Sequence, residues 1–211
     1  MASTIIHMAV AKKINEKLNR NEKLLLLGSV APDLSKTLKQ GKNKSHFFHD
    51  NKDRSGLDEF LNKYPKFLEN DYDTGYYIHL CTDYLWFNKF FPTFRDDYNN
   101  KTILLNKEVV TQSGDDFAKL IYEDYVNLNV PLLDVYNMDL SLFYEETDIP
   151  NTSIDEVDVS KIQMLLDEQS LFIKKNKLVD NYNIMSMEMI EDFVKYSVVE
   201  ILDELLNYNK Y

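Results

Sequence analysis

Apolar residues in this chain recur at steps of three and four almost from end to end, and that periodicity points to packed helices. No stretch alternates with a period of two between turn dipeptides, and Gly and Pro number five each, so the expected fold is all-α. The first helix is expected to take Ser3 or Thr4 as N-cap and to run through Leu18. Val10, Ala11, Ile14 and Leu18 form its apolar stripe, with His7 on the same stripe. An apolar run, LLLLGSVAPDL, follows and is expected to break at Gly28 and Pro32. A lysine-rich loop, KTLKQGKNKSHFFHDNKDRSG, leads to a helix near Leu57 to Leu68. A further helix is expected from about Tyr72 to Phe90, stopped by Pro92. Residues 101 to 129, 158 to 176 and 186 to 208 also read as helical, the last with Met189, Phe193, Tyr196, Ile201 and Leu205 at core spacing.

A chain of 211 residues suits one core with a helical extension. The expected division is a metal-binding helical core over 1–143, an acidic connector over 144–158 (YEETDIPNTSIDEVD) and C-terminal helices over 159–211 packed on the core. No apolar run approaches the roughly 20 residues needed to span a bilayer, so no transmembrane segment is expected. The opening stretch, MASTIIHMAVAKK, has no positively charged leader and runs straight into an amphipathic helix, which reads as an unexported chain. Cys81 is the only cysteine; no intrachain disulfide can form, and the expectation is a reduced, cytoplasmic setting.

Charge is divided unevenly. Residues 1 to 91 carry 14 Lys/Arg against 11 Asp/Glu, and residues 92 to 211 carry 10 against 24, within a net charge of −11. An acidic chain repels polyanions through its overall field, so no nucleic-acid partner is expected, although a local basic loop can still hold one phosphate.

All four histidines, His7, His46, His49 and His79, lie in the first 79 residues. The segment GYYIHLCTDYLWF sets His79 and Asp83 four residues apart among apolar and aromatic neighbours, on one helical face, with Gly75 allowing a close neighbour. An imidazole and a carboxylate at that spacing can share one metal ion, and a dication offsets the several kcal/mol that an unpaired buried carboxylate costs. Packed aromatics keep such a site dry and fix its geometry. The alternative is a plain hydrogen-bonded helical pair, with His7 a satisfied core histidine and Asp33 an N-cap after Pro32.

Taken together, His7, GSVAPD ending at Asp33, KSHFFH with His46, and GYYIHLCTDYLW with His79 and Asp83 resemble the zinc-dependent phospholipase C family, whose relatives include fungal single-strand nucleases. The family shares the order of an early helical His, an Asp, a His, then His-x-x-x-Asp on a buried helix, and the resemblance covers roughly residues 1 to 91. It implies an all-α domain of phospholipase C/nuclease type and hydrolysis of a phosphate ester. It also implies one zinc on His46, His79 and Asp83, and a second ion bridged by Asp83 and held by His7. Asp33 would orient or deprotonate the attacking water. Secreted family members begin, after processing, with a metal-binding tryptophan where this chain begins MAS, and no histidine follows His79 to build the family's third site. One or two zinc ions are therefore expected. The substrate class is a small phosphoester or a phospholipid head group.

Among the remaining residues, Lys36, Lys39, Lys42 and Lys44 can draw phosphate towards the site, with Lys44 and His49 as candidate substrate contacts; a solvated loop is the other reading of the run. Cys81 points about 200° round the helix from His79 and is expected to pack. Tyr76, Tyr77, Tyr84, Trp86 and Phe87 read as core. A second enzyme reading is an HD-type phosphohydrolase using His49-Asp50 with His7 and Asp83, which leaves Asp33, His46 and His79 without a role. A third is a non-catalytic helical binding module stabilised by its ion.

Overall fold

The structure, a computed structural model, describes residues 1–47, 54–175 and 181–208. It is predominantly helical, as the periodicity predicts. The helices are α1 (Thr4–Leu18), α2 (Glu22–Val30), α3 (Leu34–Thr37), α4 (Lys42–Ser45), α5 (Ser55–Lys63), α6 (Asp71–Leu85), α7 (Gly114–Val135), α8 (Ser141–Tyr144), α9 (Ile162–Lys175) and α10 (Met187–Tyr208). No helix among the described residues is long and apolar enough to cross a membrane.

α1 starts where its cap predicts. Ser3 Oγ accepts the Ile6 N–H at 3.3 Å, and at the other end Asn19 turns left-handed and bonds back to the Asn15 carbonyl. α2 and α6 form the centre of the fold and cross with almost no space between their backbones, at Gly28 and Gly75. Gly28 therefore does not break α2, contrary to the sequence reading; it lies inside the helix because any side chain there would strike α6. The chain turns after Val30 through a 3₁₀ turn, Ala31–Asp33, with Pro32 in it. α6 itself ends at Leu85 and continues as a π-helical turn, Trp86–Phe90, before Pro92 enters the next 3₁₀ turn. The expected helix from Leu57 to Leu68 stops at Lys63, and a 3₁₀ turn, Phe67–Glu69, follows.

One segment departs from the helical reading. Residues 95 to 111 form a three-stranded antiparallel sheet, β1 (Arg95–Asp96), β2 (Lys101–Ile103) and β3 (Val109–Thr111), with Arg95 opposite Thr102 and Thr102 opposite Val110. The organising side chain is Arg95, which is buried. Its guanidinium donates to Asp97, Asn100, Thr102 and the Gln112 carbonyl at 3.0 to 3.3 Å and lies over the Phe117 ring. Strands of two and three residues are too short to display a period of two.

The C-terminal helices belong to the same core as the rest. Phe193 of α10 packs its ring against Trp86 and Phe90, and Asp124 of α7 accepts the backbone N–H groups of Asn183, Ile184 and Met185 at 2.7 to 2.9 Å just before α10. The acidic connector is bound down at several points. Ser153 and Thr152 hydrogen-bond the buried Asp73 at the start of α6, while Asp155 and Glu156 bind Lys63 and Tyr64.

Candidate metal centre

Three helices and one turn deliver five potential donors to one place. α1 carries His7 one turn beyond its Ser3 cap, and Ser3 Oγ is itself tied to Asn129 of α7 at 2.7 Å. Asn70 caps α6 by accepting the Tyr72 and Asp73 N–H groups, and the helix then presents His79 and Asp83 on successive turns of one face. The 3₁₀ turn after α2 brings Asp33, which stands at the N-cap position of α3 but makes no capping bond with its side chain. His46 follows α4 directly.

The distances are short throughout. His46 Nε2 lies 3.3 Å from His79 Nε2, 3.8 Å from Asp33 Oδ1 and 3.8 Å from Asp83 Oδ2. His79 Nε2 is 3.6 Å from Asp83 Oδ2, and His7 Nε2 is 3.3 Å from Asp83 Oδ1 without being aligned for a hydrogen bond. Asp83 thus faces two ways, with Oδ1 towards His7 and Oδ2 towards His46 and His79. Two groups of converging donors result: His7, His79 and Asp83, and Asp33, His46 and His79. Asp33 therefore stands within the second group of donors.

The hydrogen bonds around the rings decide which nitrogens are bare. His79 Nδ1 is 2.8 Å from the Ser29 carbonyl, an acceptor only, so Nδ1 carries the proton and Nε2 is left with a lone pair. A relay fixes His46 the same way: Ser35 Oγ donates to the Pro32 carbonyl at 3.0 Å, Ser45 Oγ donates to Ser35 Oγ at 2.9 Å, and Ser45 Oγ accepts from His46 Nδ1 at 2.8 Å. With both rings neutral, two lone pairs face each other at 3.3 Å, an arrangement that a proton or an ion on His79 Nε2 relieves. Nitrogen atoms sharing a tetrahedral zinc, at about 2.0 to 2.1 Å each, stand about 3.3 to 3.4 Å apart. Both ring nitrogens of the fully buried His7 and Oδ1 of Asp33 also lack a hydrogen-bond partner. Orphaned buried acceptors in a donor set of this chemistry fit a zinc-type dication.

Electrostatics agree. Burial, and then His79, hold His7 below its ordinary pKa, and the same two causes bring His46 down to about 4, so both rings are neutral and free to ligate at pH 7. At His79 burial opposes the charge, but Asp83, Asp33 and the Ser29 carbonyl outweigh it and raise the pKa. Burial pushes the Asp83 carboxyl up, and His7 and His79 more than reverse this, leaving it well below the usual carboxylate range. The gap between the donors attracts positive charge, from a proton or from an ion.

Further residues join the site from positions that carry no recognisable motif. The Ala2 N–H donates to Asp83 Oδ1 at 3.2 Å, and Tyr125 of α7 donates to the Met1 carbonyl at 2.6 Å. The Met1 amine is buried beside the same carboxylates; burial lowers its pKa, against the pull of Asp83. Cys81 is buried away from the donors, beside Tyr77, and burial pushes its thiol up. Lys44 turns its ammonium to the Asp155 carbonyl, 3.0 Å away on the exposed surface, and does not join the donor set. His49 and Asp50 lie outside the described residues, so the structure brings neither to the site nor away from it. Comparison of the chain with protein-family models, with curated proteins and with solved structures returns no match.

Proposed function

We propose that this chain is a metal-dependent hydrolase of phosphate esters, with zinc as its ion, working as the resemblance to zinc-dependent phospholipase C implies. The observation that supports the reading most directly is the pair of bare nitrogens, His46 Nε2 and His79 Nε2, held 3.3 Å apart beside two buried carboxylates. His46, His79 and Asp83 are the residues that would hold one ion, with Asp33 beside them; His7 and the far oxygen of Asp83 would serve a second. Such an ion, when bound, makes water acidic enough to lose a proton near neutrality and polarises a phosphoryl oxygen.

The chain's own residues do the rest. Asp33 Oδ1 has no hydrogen-bond partner, so it is free to accept the proton of the attacking water as the new P–O bond forms and the bond from phosphorus to the ester oxygen breaks, the leaving group departing as its oxyanion. Ser29 and Ser45 keep the two imidazoles in the tautomers that leave Nε2 unprotonated. The Ala2 N–H orients Asp83 from the other side. The experiment is metal content measured beside turnover of a panel of aryl phosphate monoesters and diesters, for the wild type and for Asp33→Asn, each checked for folding. Zinc retained with turnover abolished in Asp33→Asn supports the reading. Zinc retained with no turnover even in the wild type favours a metal-stabilised binding module instead.

A further inference from the structure

Within the lysine run, Lys42 and Lys36 turn their ammonium groups to Met1 and Tyr122, whereas Lys44 turns away to Asp155. Lys42 lies one turn before His46, and its carbonyl accepts the His46 N–H. Its ammonium rests 3.0 Å from the Met1 sulfur, a weak acceptor, and Met1 adjoins the Ala2 N–H that binds Asp83. Lys36 lies three residues after Asp33, and its ammonium sits 5.3 Å above the Tyr122 ring, whose neighbour Tyr125 bonds the Met1 carbonyl. Neither lysine has a carboxylate partner among the described residues. Elsewhere Lys12, Lys13 and Lys63 are each paired with a carboxylate. The charge of Lys42 is felt at His46, and that of both lysines at the Met1 amine.

Charge balance says what two unpaired ammonium groups there are suited to. With only the first ion bound, the dication and the two carboxylates of Asp33 and Asp83, with neutral imidazoles, bring the donor set to zero. A neutral centre gives a phosphate dianion no net attraction; the two lysines supply it. The geometry points to Lys42 and Lys36 as an anion clamp at the edge of the site, selecting a substrate whose phosphate keeps two charges, a phosphomonoester. This deepens the hydrolase reading and rests on it for the site's chemistry.

The test is calorimetric titration of inorganic phosphate into the full chain, supplied with zinc and then freed of excess ion. The wild type should bind, and Lys42→Ala should weaken binding about tenfold, the scale of one charge-assisted hydrogen bond. The double variant with Lys36→Ala should weaken it further, Lys42→Arg should restore most of it, and zinc content should stay level throughout. Lys44→Ala, engaged with Asp155, should leave phosphate affinity unchanged. In turnover, Lys42→Ala should raise KM for an aryl monoester more than for the matching diester. A wild type that does not bind phosphate, or a double variant that binds as tightly as the wild type, overturns the clamp. Phosphate bound through Lys42 with no ester turned over leaves the clamp standing and overturns the hydrolase reading alone.

Discussion

Gly28 and Gly75 make a reciprocal contact: a methyl group on Gly28 would fall 2.0 Å from the Tyr72 carbonyl oxygen, and one on Gly75 would fall 2.1 Å from the Leu25 carbonyl oxygen. Backbone is met on both sides, and backbone cannot swing aside. The same close approach lets the Ser29 carbonyl reach His79 Nδ1. Gly75→Ala should therefore cost on the order of 3 kcal/mol, the upper end for overpacking, and should lower zinc content as well. Denaturant unfolding beside elemental analysis checks both, and a variant with normal stability and normal zinc would contradict this account of the helix crossing.

Zinc should hold the fold as well as the site. With two carboxylates and three imidazoles converging in a buried pocket, an ion bound to the native state alone raises the thermal midpoint, and a chelator lowers it. Thermal scans with and without chelator, after confirmed removal of the ion, decide this. An unchanged midpoint would mean that any zinc present was an adventitious surface ion.

The donor assignment separates the two enzyme readings by substitution. His79→Ala removes the nitrogen common to both donor groups and should abolish zinc binding, while Asp50→Asn should leave the ion in place. In an HD-type site the results reverse. Elemental analysis of the two folded variants is sufficient, and loss of zinc from Asp50→Asn alone would overturn the assignment at its centre.

Stability should depend on pH with opposite sign above 6.5 in the two metal states. Without metal, His46 (pKa about 4) and His7 (held below 6.5) take up protons in the unfolded chain first, so stability rises from pH 4 to 6.5. His79 has a raised pKa, so its contribution is full below 6.5 and is lost as pH climbs through the raised value. Asp83 has a lowered pKa, so its contribution is present above 3.8 and is lost only as pH falls through its folded value. The midpoint of the chelated protein should thus pass through a maximum near pH 6.5, while the zinc-loaded protein gains further above it because the ion replaces the His79 proton. Parallel curves above 6.5 would show that ion and proton do not compete at His79.

Asp124 provides a perturbation of the fold away from the donors. Asp124→Ala leaves the buried N–H groups of Ile184 and Met185 without their acceptor, at a cost of about 3 kcal/mol for two unsatisfied donors. Zinc content of the folded fraction should be unchanged. A combined loss of zinc would show that the start of α10 and the metal centre are coupled.

The parts legible in the sequence were those with local causes. The Ser3 cap, the stripe bearing His7, the close approach at Gly75 and the shared face of His79 and Asp83 all follow from periodicity and residue chemistry within a few positions. The rest depends on contacts across the chain. Lys42 and Lys44 differ only in what their ammonium groups meet, Met1 for one and Asp155 for the other. Residues 101 to 111 read as helix because their strands are held by Arg95 and Phe117 and show no alternation of their own. The connector read only as an acidic, Pro-containing stretch; that Ile154, Glu156 and Val157 are buried depends on Tyr64, Lys63 and Asp73 on other elements.

The relay from His46 through Ser45 and Ser35 ends on the carbonyl of Pro32, the residue immediately before Asp33. Two donors from different elements are thereby mechanically coupled: a shift of the Asp33 turn pulls on the hydroxyl chain and tilts the His46 ring with it. A chain of hydroxyls that ties the ring to the turn bearing the carboxylate is suited to hold the two in register, so loading the site should require little local rearrangement of either.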